Sequence, residues 1–205
     1  MEDNREKMNY DLVVVGAGPS GLSAAIQFKK LCLKNNKDFS VCVVEKGSEV
    51  GSHILSGAVL QPTALNELFE DWKNMEECPV KVEVKDESLK YLSSQKAFNI
   101  PKIFLPPVMH NKGNFIISLG NFCKWLAKEA EKLGVEIYPG FAATNSVIED
   151  GKLLGIITGD LGVSKDGSRT ENYQSGIEIR GKFTLFAEGC RGHIGKQIIE
   201  NFDLR

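Results

Sequence analysis

The feature that most constrains this chain is an apolar run, Tyr10 to Val15 (YDLVVV), that ends directly in Gly16-Ala17-Gly18-Pro19-Ser20-Gly21. Six apolar-rich residues closed by glycines read as a buried parallel strand and a tight turn. Leu22 to Leu33 follows with helix-forming residues, Leu22, Ala25 and Ile26 sharing one face. Asn35 to Asp38 reads as a turn and Ser40 to Glu45 (SVCVVE) as a second strand, completing a βαβ unit. A G-x-G-x-x-G pattern alone is weak. Between a strand and a helix, with an acid closing the next strand, it is a dinucleotide fingerprint. Gly16 permits the strand-to-helix turn, Gly18 lets a diphosphate approach bare backbone, and Gly21 lets the helix lie against the strand. The free N–H groups and positive end of the helix would hold the phosphates, and Glu45 would accept ribose hydroxyls.

The remainder of the chain reads less regularly. Gly47 to Gly57 is a loop and Pro62 to Phe69 a short helix, while Val80, Val82 and Val84 alternate as in a strand. Ile100 to Met109 is apolar but holds three prolines, which excludes a regular helix. Asn121 is placed as the N-cap of a helix whose face carries Phe122, Trp125, Leu126, Ala130 and Leu133, with Gly134 as its stop. Val135 to Ile137 reads as a short strand. Asp150-Gly151 joins two strands, 141–149 and 152–158, in a hairpin. Residues 160–175 read as a polar loop, 182–187 as a strand, and 192–201 as a final helix.

Composition narrows the function classes. A formal net charge of −2 gives no field that would favour nucleic acid. Cys32, Cys42, Cys78, Cys123 and Cys190 form no CxxC pair, and His53, His110 and His193 have no ligand spacing, so neither a metal site nor a disulfide framework is expected. No nucleophile elbow or Ser-His-Asp arrangement is found. No apolar run reaches the ~18 residues of a spanning helix, and residues 1–8 resemble neither a signal nor a transit peptide. A location in the cytoplasm, or at most on a membrane surface, is therefore expected.

Two features favour FAD over NAD. The loop after Glu45 runs into HILSGAVL rather than into another strand–helix repeat. Phe186-Ala187-Glu188-Gly189-Cys190-Arg191-Gly192 places an acid and glycines between a strand and a helix, a second turn able to approach a flavin's ribityl and diphosphate.

The stretches VVVGAGPSGLSAAI, VVEKGSEVGSHILSGAVLQP, GNFIISLG, EKLGVEIYPGFAAT, GDLGVSKDGS and TLFAEGCRGHIGKQIIENFDLR cover most of the chain from Tyr10 on. In them the chain resembles the electron-transfer flavoprotein–ubiquinone oxidoreductase family. Geranylgeranyl reductases and FixC-like flavoproteins share the first and last motifs and match the middle less well. The resemblance implies passage of electrons from reduced electron-transfer flavoprotein, through FAD and a 4Fe-4S cluster, to ubiquinone at a membrane. It implies peripheral attachment to an inner or cytoplasmic membrane, facing the cytoplasm or the mitochondrial matrix.

Motif and resemblance together place cofactor contacts at Val15, Gly16, Ala17, Gly18, Pro19, Ser20, Gly21, Glu45, Lys46, Ser56, Gly57, Ala58, Ala143, Glu188, Gly189 and Gly192. Many relatives in the wider superfamily carry Asp and Ser in the second motif, where Glu188 and Gly192 stand here. No side chain need act as acid or base, because the flavin carries the redox chemistry. The family's cluster cysteines and later FAD motif have no counterpart, so the chain reads as an N-terminal fragment, a weak FAD binder on its own. The other readings are a FixC-like or geranylgeranyl-reductase-type enzyme, or a truncated FAD-binding module without turnover.

The expected fold is α/β: an FAD/NAD(P)-binding Rossmann-like sheet of the glutathione-reductase/hydroxylase type with an antiparallel β insertion. Residues 1–74 and 121–205 would form the FAD-binding domain and 75–120 the start of a quinone or substrate domain. Membrane contact is placed first in Gly51 to Trp72 (Ile54, Leu55, Val59, Leu60, Leu65, Leu68, Phe69, Trp72). The second candidate is Ile103, Phe104, Leu105, Val108 and Met109.

Overall fold

Strands with no polar residue facing a sheet surface must be covered on both sides, and Val41 to Val44 is such a stretch, each residue no more than 1 % exposed. The computed structural model, which describes residues 5–55, 57–164 and 166–204, shows how this is done. In chain order the elements are β1 (Lys7–Val15), α1 (Pro19–Lys34), β2 (Val41–Glu45), β3 (Ala58–Leu60), α2 (Thr63–Leu68), β4 (Val82–Glu83), β5 (Leu89–Leu92), β6 (Ala97–Ile100), β7 (Phe115–Ile117) and α3 (Leu119–Lys132). They continue with β8 (Val135–Pro139), β9 (Ala143–Glu149), β10 (Lys152–Thr158), β11 (Leu161–Val163), β12 (Arg169–Gln174), β13 (Glu178–Phe186) and α4 (Ile194–Asn201). The chain divides into two compact units, one of residues 1–54 and 123–205, the other of residues 55–122. Residues 55–74, expected with the FAD-binding part, cluster with the second unit because β3 pairs with β7.

The first unit is built on a six-stranded sheet of order β8-β2-β1-β13-β10-β9. The first four strands run parallel, with Val15 opposite both Val44 and Phe186, and the β9–β10 hairpin joins antiparallel to the start of β13. Helix α1 buries Leu22, Ala25 and Ile26 and meets β1, β2 and β8. Tyr10, Val13, Val15, Cys42, Val44, Ile156, Ile179 and Ile194 form one core cluster. At its border the hydroxyls of Tyr10 and Tyr138 donate to one oxygen of Glu136, at 2.7 and 2.5 Å, and lie 2.7 Å apart.

Asp150 and Gly151 both adopt positive φ, +49° and +71°, the type I′ turn that an Asp-Gly pair favours between twisted strands. Gly134 takes φ +80° just past α3, the left-handed stop that a residue without Cβ adopts freely. Two expectations change. Asn121 lies inside α3: its N–H faces the Ser118 hydroxyl at 3.4 Å, and Phe122 N–H bonds the Ser118 carbonyl at 2.9 Å, so Ser118 stands at the helix start. Both residues are good caps, and spacing alone does not rank them. Residues 160–175 contain the β11–β12 hairpin rather than a plain loop. Its strands are largely exposed, so no alternation of apolar and polar residues marks them.

In the second unit β3, β7 and β4 form an antiparallel sheet and β5–β6 a hairpin. The expected strand at 80–84 shortens to Val82–Glu83, though the alternation holds: Val80 and Val84 are buried and Val82 is exposed. Trp72 is buried against the Phe115 ring edge and donates its indole N–H to Asn66 at 2.7 Å. The proline-rich segment 100–109 forms two single 3₁₀ turns. Its ends are tied where Lys102 meets Asp86 at 2.6 Å and Asn111 N–H meets Glu87 at 2.7 Å.

Candidate dinucleotide site

All four parallel strands deliver their C-terminal ends to one edge of the first unit's sheet, the edge where open α/β sheets bind ligands. Val15 leads into the 16–21 turn, Glu45 closes β2, and Phe186 leads into the 187–192 turn. Main-chain bonds lock these loops: Gly16 N–H to Val44 carbonyl and Ala187 N–H to Val15 carbonyl, each 2.8 Å, and Gly140 N–H to Gly47 carbonyl, 2.7 Å.

The glycines divide by what a Cβ would meet. At Gly16 (φ +107°) it would lie 2.5 Å from the Ala187 carbonyl oxygen, and at Gly21 2.0 Å from the Gly16 carbonyl oxygen. These two are required by the protein's own packing. At Gly18 a Cβ would meet nothing within 4 Å, and the backbone is ordinary extended chain (φ −79°, ψ −179°). The fold therefore does not need glycine at position 18; a group approaching the open side of the turn would.

Gly18 caps α1 and Pro19 opens it, with no capping side chain and no acid in the first turn. Proline has no N–H to leave unpaired, and the first-turn N–H groups that follow it, those of Ser20 and Gly21, have no intrahelical partner to take. The positive end of this 16-residue helix thus has no counter-charge from its own first turn. Glu45 is half-buried, and both its carboxylate oxygens are engaged: Oε2 accepts Ala17 N–H at 3.0 Å and Oε1 accepts Gly47 N–H at 2.8 Å. Each oxygen retains a lone pair, so the acid fixes the turn and still has capacity for a hydroxyl.

The other expected positions scatter more widely. Lys46 is exposed and Ala143, at the start of β9, packs on the core cluster. Ser56 lies outside the described residues. Gly57 (φ +90°) is exposed, and Ala58 opens β3 in the second unit. Gly189 takes φ +77° with open space around it. Glu188 is not free at the site: its oxygens accept N–H groups of His193 (3.2 Å), Ile194 (3.3 Å) and Gly195 (2.7 Å), at the start of α4. Sequence reading missed this because the acceptors' partners are main-chain groups five to seven residues on, with no residue-type signature.

Residues 14–70 match the NAD(P)-binding Rossmann-like domain family. An electron transfer flavoprotein-ubiquinone oxidoreductase from Pseudomonas aeruginosa is 57 % identical over 98 % of this chain and 37 % of its own length. The mitochondrial protein of that name from Bos taurus is 46 % identical over 95 % of the chain and 31 % of its own length. The chain spans about a third of the length of these relatives. In fold it superposes on a myxobacterial FAD-dependent halogenase with a TM-score of 0.60 at 14 % identity, over 92 % of this chain and 39 % of that one. The Rossmann-like α/β assignment with antiparallel strands therefore stands.

Proposed function

We propose that this chain is the N-terminal FAD-binding part of an oxidoreductase that takes electrons from electron-transfer flavoprotein and passes them to ubiquinone. The observation that carries the reading is Gly18: glycine where the protein's own atoms leave room for a side chain, at an uncapped helix start. In this reading the 16–21 turn and the first N–H groups of α1 hold the diphosphate, with Val15, Ala17, Pro19 and Ser20 shaping the turn. Glu45 takes ribose hydroxyls and Lys46 flanks it. Gly57, Ala58, Ala143, Gly189 and Gly192 are assigned to the flavin half by resemblance. FAD, when bound, supplies the redox chemistry; the protein's residues bind and orient it and tune its surroundings. The 4Fe-4S cluster and quinone reduction are assigned to the part of the longer relatives that this chain does not span.

Contact with a membrane surface is part of the same proposal. The first candidate segment is mixed: Leu55 and Val59 are exposed, while Leu65, Leu68 and Trp72 lie in the core of the second unit; in the second candidate Leu105 is buried. The second candidate presents Ile103, Phe104 and Val108, each at least 75 % exposed, on a strap pinned at both ends. An exposed apolar cluster of this kind suits a lipid interface, and no helix among the described residues is long and apolar enough to cross a membrane.

Titration of the purified chain with FAD, FMN and ADP tests the reading. FAD should bind with quenching of its fluorescence, ADP should compete with it, and FMN, which lacks the adenylate, should not bind. The chain alone should not reduce quinone with the natural donor. Failure of FAD to bind, or quinone turnover by the chain alone, overturns the respective half.

A further inference from the structure

Two helix starts lie at the ligand edge of the sheet, and the molecule treats them oppositely. The start of α1 has neither a capping side chain nor a first-turn acid. The start of α4 is filled from within by the Glu188 carboxylate, which accepts three successive main-chain N–H groups. We propose that Glu188 is a positioning residue for the flavin site, acting through the backbone of the 187–192 turn and not through contact with the cofactor. The proposal rests on the flavin reading above.

The geometry gives the chain of cause. Ala187, the residue before Glu188, donates to the Val15 carbonyl, and its own carbonyl occupies the space a Cβ at Gly16 would need. The 187–192 turn is therefore pressed directly against the diphosphate turn. At its far end Gly192 closes on the acid: a Cβ there would lie 2.9 Å from Glu188 Cβ and 3.0 Å from Oε2. With both oxygens committed to α4, Glu188 fixes the turn between two anchors, Val15 on one side and α4 on the other. A carboxylate suits this position because both its oxygens only accept, and all the groups around it donate. An amide would not replace it: with His193 and Ile194 on one oxygen and Gly195 on the other, either orientation of a Gln sets its NH₂ against an N–H.

This gives an inverted order of substitution effects. A glutamate that hydrogen-bonded a ribityl hydroxyl would tolerate Gln far better than Ala. A glutamate that caps α4 should tolerate Gln no better than Ala, and Gly192→Ala, whose added carbon would crowd the carboxylate, should reproduce the defect.

The experiment measures FAD and ADP affinity and melting temperature for the unsubstituted chain, Glu188→Gln, Glu188→Ala and Gly192→Ala. ADP engages only the 16–21 turn and Glu45, whereas FAD continues toward the second turn. All three variants should bind FAD up to about tenfold more weakly, the scale of one neutral hydrogen bond lost from the flavin half, with ADP affinity unchanged. Glu188→Gln binding FAD normally while Glu188→Ala does not would overturn the proposal in favour of direct contact. Parallel loss of FAD, ADP and melting temperature would overturn it in favour of a purely structural cap. If the unsubstituted chain binds ADP but not FAD, or neither, the flavin reading itself has failed and this proposal falls with it.

Discussion

Gly18→Val separates the needs of the ligand from the needs of the fold. Position 18 has φ −79° and ψ −179°, a conformation that β-branched residues adopt readily, and its Cβ direction is open to 4 Å. Losing glycine at a helix N-cap costs about 1 kcal/mol. Restricting the unfolded chain returns about 0.4–1 kcal/mol. The net change in stability should stay within about 1 kcal/mol, a shift of roughly 2–4 °C in melting temperature for a chain of this size. Binding should respond very differently. If the diphosphate can no longer reach the first N–H groups of α1, one or two charge-assisted hydrogen bonds go, at about 1.5–3 kcal/mol each. A loss near 3 kcal/mol is roughly a hundredfold in affinity. Gly21→Ala is the internal control. Its Cβ would overlap the Gly16 carbonyl oxygen at 2.0 Å and crowd Val14 and Ala187, so overpacking should cost about 1–3 kcal/mol in stability whether or not ligand is present. Thermal unfolding and flavin titration on the same samples read both quantities. Retention of FAD affinity by Gly18→Val, or a loss of stability matching that of Gly21→Ala, would refute the assignment of position 18 to the ligand.

Three further outcomes are expected. The Tyr10–Glu136–Tyr138 cluster should make stability depend on pH at both ends. Hydrogen bonds from Tyr138 and Tyr10 lower the Glu136 pKa, so its contribution is present above the ordinary carboxylate range and is lost as pH falls through the lowered value. Burial, aided by hydrogen bonding, raises Tyr10 well above its ordinary 10.0, so that contribution is present below 10 and is lost as pH rises beyond it; urea midpoints that fall as steeply in alkali for Tyr10→Phe as for the natural chain would contradict this. Gly151→Ala should cost about 1 kcal/mol from backbone strain alone, because φ is +71° and no atom lies within 4 Å of the added carbon; an unchanged melting temperature would count against the type I′ turn. Of the five cysteines, only Cys190 is exposed, and burial pushes Cys42 and Cys123 up to about 12, so a thiol reagent should label one site before unfolding, and fast labelling of two or more would contradict the buried core.

The sequence made some parts of this molecule plain and concealed others, for physical reasons. The first βαβ unit was legible because all its constraints coincide: β2 and the end of β1 are buried on both faces, and Gly16 and Gly21 each answer a separate steric demand. The 150–151 turn was legible because Asp-Gly between two apolar runs leaves few alternatives. The β11–β12 hairpin was hidden because its strands face water on both sides, which removes the period-two pattern. The helix start at Ser118 was misplaced by one turn because two capping residues stand three apart. The role of Glu188 was hidden for a different reason: its residue type announces an acid near a cofactor, while its partners are backbone groups that no residue type reveals. The two apolar segments show the same limit, since composition cannot tell the buried Leu65, Leu68 and Trp72 from the exposed Ile103, Phe104 and Val108.

The loops at the ligand edge are joined to one another by amide-to-carbonyl links, at Gly16–Val44, Ala187–Val15 and Gly140–Gly47. Among side-chain replacements only proline, which has no N–H, deletes such a link outright; any other must alter the path of the chain to do so. Sequence drift at the neighbouring positions is therefore free to change affinity and electronic tuning while the rim keeps its shape, and the glycines that hold this path are where tolerance should end.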